Sequence, residues 1–510
     1  MENNNYFQKP FCRAHGVLMP LFSLPSEYGI GVIGNQSRKF IDFLKECGAS
    51  YWQLLPLGPT GYMDSPYQCF SAFAGNSYFI DPEFLSEHGL LRPDQLEAFR
   101  FENNGRVDYG ALYNTRKKAL FAAFENFRQK RNLARDYDDF CNKASFWLYD
   151  YADFRALKEV FGEKSREHWG KLRVKNNSEM AVLKDKIALR REFFCFLEFI
   201  FYKQWKDLKN YANKNNIMLI GDIPLYVSND SADVWADPRL FELNSDFSPS
   251  SIAGVPPDMF SKNGQLWGNP LYNWEYHKQS GFDWWKKRIS WQAELFDIIR
   301  LDHFIGYGRY YKIPAEAKTA KNGRWCEAPG EELIDAIFSV CGNLKFIAED
   351  LGEVNSTTKA LLKRSGFPGM KLMEYAFEDG IYNLPHHINK NTVVYTGTHD
   401  NPTLAGYLNS CPESVIQTAK NYLYENNTKL LPQAIIRECF RCAAKTVIIP
   451  LQDYLELDNS ARINTPATTQ KNWCWRIKAI PGKDLSRHIA KLAKIYEREN
   501  EYGKQQSAIV

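Results

Sequence analysis

Asp302, Glu349 and Asp400 lie at or just past the ends of short apolar runs, with Arg300 two residues before the first and His399 directly before the last. Carboxyl groups assembled in this way can divide the labour of breaking a glycosidic bond. One stays ionised below the anomeric carbon, one is protonated at the leaving oxygen, and a third binds sugar hydroxyls and helps distort the ring. A single acid at a strand end reads equally well as a helix N-cap or an ion-pair partner. Three of them, accompanied by a cation and an imidazole, point to a site.

Such a site needs strands to carry it. The runs Val17–Phe22, Tyr51–Leu55, Met218–Ile220, Ile298–Leu301, Phe346–Ala348, Met370–Met373, Thr392–Tyr395 and Val447–Ile449 read as strands. Helical periodicity fills most of the intervals, as in Asn35–Cys47, Phe282–Asp297, Glu331–Val340 and Thr357–Ser365. Eight strands alternating with helices predict an α/β chain folded as a closed (β/α)8 TIM barrel, in which chemistry sits past the carboxyl ends of the strands. Asp222, Asp302, Glu349 and Asp400 all fall at those ends. The spacing is uneven. Residues 60–216 form a large insertion between strands two and three, and 236–280 a second one before strand four. Both read as subdomains grown from barrel loops within one catalytic unit spanning 1–510, because the barrel pattern resumes after each.

Composition narrows the function. The chain has 510 residues, 44% hydrophobic and 24% charged, the mix of a globular protein. Its net charge of +4 is not gathered into a basic stripe, so nucleic acid is not an expected partner. The greasiest stretch, Phe193–Tyr202, is broken by Glu198 and too short to span a bilayer. The opening Met1-Glu-Asn-Asn-Asn lacks the features of a signal peptide, and a cytoplasmic address is expected. Eleven cysteines without regular spacing fit reduced thiols. Cys439 and Cys442 lack the second pair that a zinc ribbon needs and read as structural thiols on one helix face. Aromatic residues make up 15% of the chain. Most serve packing, but Trp267, Tyr272 and Trp274 fall among Gly, Pro and Asn in expected loops, where rings could stack on sugars or bases.

Some patterns mislead. Gly29-x-Gly31-x-x-Gly34 has the form of a dinucleotide fingerprint, yet it does not follow its strand tightly and the next strand ends in Leu57-Gly58 instead of an acid. Tight turns at the barrel mouth account for it better. His386-His387 lacks spaced partner acids and reads as a solvated loop. His303 reads equally as a substrate contact or as a cap on the strand-four loop.

The ordered set of motifs decides more than any one of them. Gly29-Ile-Gly-Val-Ile-Gly34, Trp52-Gln-Leu-Leu-Pro-Leu-Gly-Pro-Thr60, Ser65-Pro-Tyr67, Gly221-Asp-Ile-Pro-Leu-Tyr226 and Gly254-Val-Pro-Pro-Asp258 are followed by Gly264-Gln-Leu-Trp-Gly-Asn-Pro270, Arg300-Leu-Asp-His-Phe304, Ile347-Ala-Glu-Asp-Leu-Gly352 and Tyr395-Thr-Gly-Thr-His-Asp-Asn401. This series resembles the amylomaltases, or disproportionating enzymes, 4-α-glucanotransferases of the α-amylase clan. The resemblance implies Asp302 as nucleophile, Glu349 as acid/base and Asp400 as transition-state stabiliser. It places Arg300, Asp222, His399 and Tyr67 around the reacting sugar, with Arg300 keeping Asp302 ionised and its pKa depressed. Asp258, Trp267 and Asn269 fall on a loop covering the cleft, with a buried anchor for that loop as the alternative reading of Trp267. Asn464, Tyr375 and Asp379 complete the substrate contacts.

The chain departs from the family at two of these places. Asn464-Thr-Pro466-Ala467 replaces Asn-x-Pro-Gly, and since alanine resists positive φ the loop is expected to close differently. Tyr375 replaces an expected phenylalanine and adds a hydroxyl. The implied function is transfer of α-1,4-glucan segments, by a retaining double displacement, to the 4-hydroxyl of an acceptor. Maltooligosaccharides and starch- or glycogen-like glucans would be substrates and glucose an acceptor, without metal, cofactor or membrane. The alternatives are a retaining α-glucan hydrolase on the same barrel and a non-catalytic glucan-binding protein.

Overall fold

The computed structural model describes residues 8–500 apart from 103, 131–132, 258–260, 353 and 379–383. Twelve strands are formed among them: β1 (Ala14–Leu18), β2 (Tyr51–Gln53), β3 (Met218–Ile223), β4 (Ser251–Val255), β5 (Gln265–Pro270), β6 (Ile298–Leu301), β7 (Arg309–Pro314), β8 (Arg324–Glu327), β9 (Lys345–Ala348), β10 (Gly369–Leu372), β11 (Thr392–Tyr395) and β12 (Thr446–Pro450). Eight make a parallel sheet in the order β10-β11-β12-β1-β2-β3-β6-β9, wrapped into the expected barrel. The first strand lies earlier than its apolar run suggested. Ala14–Leu18 pairs with β12 and β2, whereas Leu21–Ser23, beyond Pro20, is a turn of 3-10 helix. Its buried leucine and phenylalanine belong to the mouth of the barrel and not to a strand.

Side-chain alternation along the strands sorts the barrel into layers. Ile220, Ile298, Ile347, Val393, Tyr395 and Ile448 share an inner apolar cluster with Leu18 and Tyr51. Their neighbours Leu219, Ile299, Leu301, Phe346, Ala348, Val394, Val447 and Ile449 face outward into the larger core beneath the helices. Two residues on from Ile220, Ile298 and Ile347, the same inward face carries Asp222, Arg300 and Glu349. The apolar floor and the polar mouth are therefore successive layers of one alternating pattern.

The barrel closes by a different device. No ladder joins β9 to β10 among the described residues. Instead the Ala348 N–H donates to the Pro368 carbonyl at 2.9 Å, and the Asp350 carboxylate accepts from the Met370 N–H at 2.7 Å. Gly369 makes this approach possible, because a Cβ there would lie 2.3 Å from Asp350 Oδ2.

Between β2 and β3 lie four long helices, Tyr109–Lys130, Ala134–Ala144, Leu148–Val160 and Asn177–Lys214. Phe124, Trp147 and Phe196 from this region belong to the same continuous core as Trp52 and Leu219 of the barrel. A second, antiparallel sheet in the order β5-β4-β7-β8 grows from the loops after β3 and β6. It was not expected. Trp267, assigned to a loop, stands on β5, while Tyr272 is a core residue only 1% exposed.

Candidate active site

Register sets the carboxyl groups at one height. Asp222 pairs with Arg300 across β3 and β6, and Leu301 with Ala348 across β6 and β9, so the next residues, Asp302 and Glu349, leave adjacent strands side by side. Arg300 is buried, and its Nη1 donates to Asp222 Oδ1 and Oδ2 at 2.8 and 2.7 Å and to Asp302 Oδ1 at 3.0 Å. Tyr67 donates its hydroxyl to Asp222 Oδ2 at 2.9 Å and stacks on the His399 ring with centroids 5.3 Å apart. Trp473 tilts against both rings.

Glu349 is held by backbone alone. Its Oε2 accepts from the His303 N–H at 2.8 Å and its Oε1 from the Leu351 N–H at 2.9 Å. His303 reaches this position with φ of 48°, a left-handed conformation for a residue with a Cβ. The ring stands edge-on to Trp267 with centroids 4.9 Å apart, and its Nε2 is buried without a hydrogen-bond partner.

Asp400 comes five residues beyond β11 and depends on a loop. Asn464 Nδ2 donates to its Oδ1 at 2.6 Å, Arg462 Nη2 donates to its carbonyl at 2.6 Å, and His399 Nε2 lies 3.4 Å from its Oδ2. Burial lowers the His399 pKa, favouring the neutral ring. Arg462 also donates to the Asn464 carbonyl. Nothing periodic marks Arg462 in the sequence. Its place two residues before Asn464 is the only signal.

The electrostatics reverse one expectation. Arg300 was expected to depress the Asp302 pKa, but burial outweighs it and pushes that carboxyl up to about 7. The guanidinium is shared with Asp222, so one cation serves two carboxylates. Glu349 is pushed up to about 8, chiefly by burial, with Arg300 pulling down and Asp302 pushing up. Asp302 alone is hydrogen-bonded to the guanidinium, which makes it the easier of the two to ionise.

The remaining expected contacts divide. Trp267 is half-buried between Tyr226 and His303, and its carbonyl accepts from Gln68 Nε2 at 3.1 Å. Asn269 is 4% exposed, and its carboxamide bonds Gln68 and the Val227 carbonyl, so it fastens β5 to the 65–70 segment. Gln68, which makes both contacts, was missed. The Tyr375 hydroxyl accepts from Asn401 Nδ2 at 2.8 Å. Asp258 and Asp379 lie outside the described residues. Ala467 takes φ of 62°, so the loop adopts left-handed backbone in spite of its Cβ. Gly31 packs where a Cβ would lie 1.9 Å from the Leu21 carbonyl, a close turn and not a phosphate cradle. His386 and His387 are exposed, and no three-residue cluster suited to a metal exists among the described residues.

Residues 19–481 match the family model described as 4-alpha-glucanotransferase. The chain belongs to the 4-α-glucanotransferase family. It is 42% identical to the 4-alpha-glucanotransferase of Clostridium butyricum, over 94% of this chain and 100% of that one. It is also 42% identical to that of Thermus thermophilus, over 95% and 98% respectively. The amylomaltase from Streptococcus agalactiae, solved in complex with acarbose, superposes with a TM-score of 0.92 at 39% identity, covering 96% of this chain and 100% of that one. The activity of this 4-α-glucanotransferase is the transfer of α-1,4-glucan segments, and its barrel is the amylomaltase barrel. No helix among the described residues is long and apolar enough to cross a membrane.

Proposed function

We propose that Asp302 is the nucleophile of this glucan transfer, Glu349 its acid/base and Asp400 the stabiliser of the oxocarbenium-like transition state. The observation that supports this most is the level placement of Asp302 and Glu349 on adjacent strands, one bound by a cation and the other by neutral amides. Ionised Asp302 attacks the anomeric carbon of an α-1,4-glucan while protonated Glu349 gives its proton to the departing 4-oxygen. Glu349, now a base, takes the proton from the 4-hydroxyl of the incoming glucan. That oxygen displaces Asp302 and restores the α configuration. Asp222 and Tyr67 fix Arg300 and the sugar beside it; His399, Asn464 and Tyr375 line the remaining polar contacts. Trp267 on β5 serves as the ring that excludes water from the glycosyl-enzyme, with Asp258 and Asp379 as further substrate contacts.

Maltooligosaccharides and longer starch- or glycogen-like chains are the donors in this reading, and glucose suffices as acceptor. The free thiols of all eleven cysteines fit action in the cytoplasm. The 60–216 and 236–280 insertions act as subdomains of one catalytic unit, the second carrying the cover of the cleft.

Incubation with maltotriose alone tests transfer. Glucose and a ladder of longer maltooligosaccharides should form at nearly constant total reducing ends, and a steady rise in reducing ends without longer products would leave only hydrolysis. Trapping with a fluorinated glycosyl donor should place the label on Asp302, and a label elsewhere would displace it as nucleophile.

A further inference from the structure

A cavity of about 300 Å³ lies outside the catalytic cleft, between the loop after β3, the start of the helix Asp283–Leu295 and the turn before the helix Leu148–Val160. That first helix ends shortly before β6 and so runs antiparallel to it. Its opening turn therefore stands at the carboxyl end of the barrel, the end that carries the carboxyl cluster. The 67–76 segment is the wall between the two. Tyr67 faces Asp222 on one side, while Ser71 and Phe73 line the cavity on the other.

The lining has the chemistry of a sugar site. Phe146 is 40% exposed, and Tyr276 and Trp284 are half-buried. Their rings offer apolar faces and edges to the C–H groups of a pyranose. Trp147, on the same wall, is packed against Phe73 and Trp291 and holds the aromatic lining in place. Trp284 Nε1 donates to the Asp233 carboxylate at 3.3 Å. At the rim, Arg239 grips Asp237 through two hydrogen bonds of 2.8 and 3.0 Å, and Lys287 pairs with Asp283 at 2.7 Å. Each rim cation is matched by a carboxylate, so no positive charge is left over for a phosphate or another anion. The mixture of paired donors and acceptors suits a neutral polyhydroxylated ligand. The volume lies at the lower end for small-molecule sites and holds a short stretch of a chain, not a whole one.

We propose that this cavity is a second docking site for α-glucan, which holds part of a long chain on the flank of the barrel while another part occupies the cleft. The proposal rests on the glucan-transfer activity, since that activity brings chains long enough to reach both places. A short donor such as maltotriose would occupy the cleft without touching the cavity.

The test compares wild type with Phe146→Ala/Tyr276→Ala and with Ser280→Trp, which plugs the rim from an exposed position. Retardation in native gels containing amylose measures long-chain binding, and glucose release from maltotriose measures the cleft. Both variants should bind amylose roughly three- to tenfold more weakly, the loss expected for removing or blocking a stacking ring. Their kcat and KM with maltotriose should match wild type. Unchanged amylose retardation in both variants would overturn the proposal. So would a parallel loss of maltotriose turnover, which would assign these residues to the cleft or the fold. Failure of wild type to lengthen maltotriose would refute the transfer reading instead, and is scored separately from the gels.

Discussion

Replacing Asp222 by asparagine removes one of the two carboxylates that share Arg300 and should make Asp302 easier to ionise. Arg300 Nη1 lies 2.7 Å from the nearer Asp222 oxygen and 3.0 Å from Asp302 Oδ1, which puts the two carboxylate oxygens within roughly 6 Å of each other. Two unit charges at that distance repel by about 3 kcal/mol at an effective dielectric constant of 20. Full loss of that repulsion would lower the Asp302 pKa by about two, and solvent reaching its partly exposed carboxylate reduces the change to about one. The sign follows directly. Asp302 must be ionised to attack, so kcat/KM rises with pH through its pKa, about 7 in the native enzyme. Removing the neighbouring negative charge moves that rising limb about one pH unit toward acid. The absolute rate should fall as well, because Asp222 is also proposed to border the reacting sugar. The assay is glucose release from maltotriose at low substrate concentration between pH 4 and pH 9, fitted for limb position and not for height. A limb that stays in place or moves toward alkaline pH would refute the shared-cation account of this site.

Three further outcomes are expected. Glu349→Gln should suppress turnover of maltotriose far more than turnover of a donor with an activated leaving group, and equal losses on both would remove Glu349 as the acid. Glu198, buried and pushed up to about 8 while accepting the Gly75 N–H, binds its proton more tightly folded than unfolded. Its contribution is therefore present below the unfolded carboxyl pKa and lost as pH rises through 8. Glu198→Gln should accordingly weaken the fall in stability between pH 5 and pH 9 by up to a few kcal/mol, read by urea unfolding at several pH values. Ala467→Gly should stabilise by about 1 kcal/mol by relieving the left-handed alanine, read as a raised unfolding midpoint in urea, and an unchanged or lower midpoint would refute the strain.

The parts of the molecule that follow a simple period were legible in the sequence. The barrel strands are buried on both faces and read as short apolar runs, and the acids on β3 and just beyond β6 and β9 could be picked out because strand alternation carries them inward. The second sheet was not legible. Gln265-Leu-Trp-Gly-Asn-Pro270 carries the glycine, asparagine and proline of a loop and becomes a strand only because β4 pairs with it. Contacts assembled between distant loops, such as Arg462 with Asp400 or Gln68 with Asn269, leave no periodic trace. The Asp302 pKa was misjudged chiefly because its burial, which no local pattern marks, outweighs the neighbouring cation. The sequence places Arg300 beside Asp302, but only the register across β3 and β6 shows that Asp222 claims the same guanidinium.

The closure between β9 and β10 has its own consequence. A hoop under even load opens at its clasp, and here the clasp is two hydrogen bonds, the Ala348 N–H on the Pro368 carbonyl and the Met370 N–H on the Asp350 carboxylate. The residue immediately before Asp350 is Glu349. The proposed acid/base is thus mounted on the free end of the staves, where warming should loosen the wall first. Heat should therefore silence the chemistry before it melts the vessel.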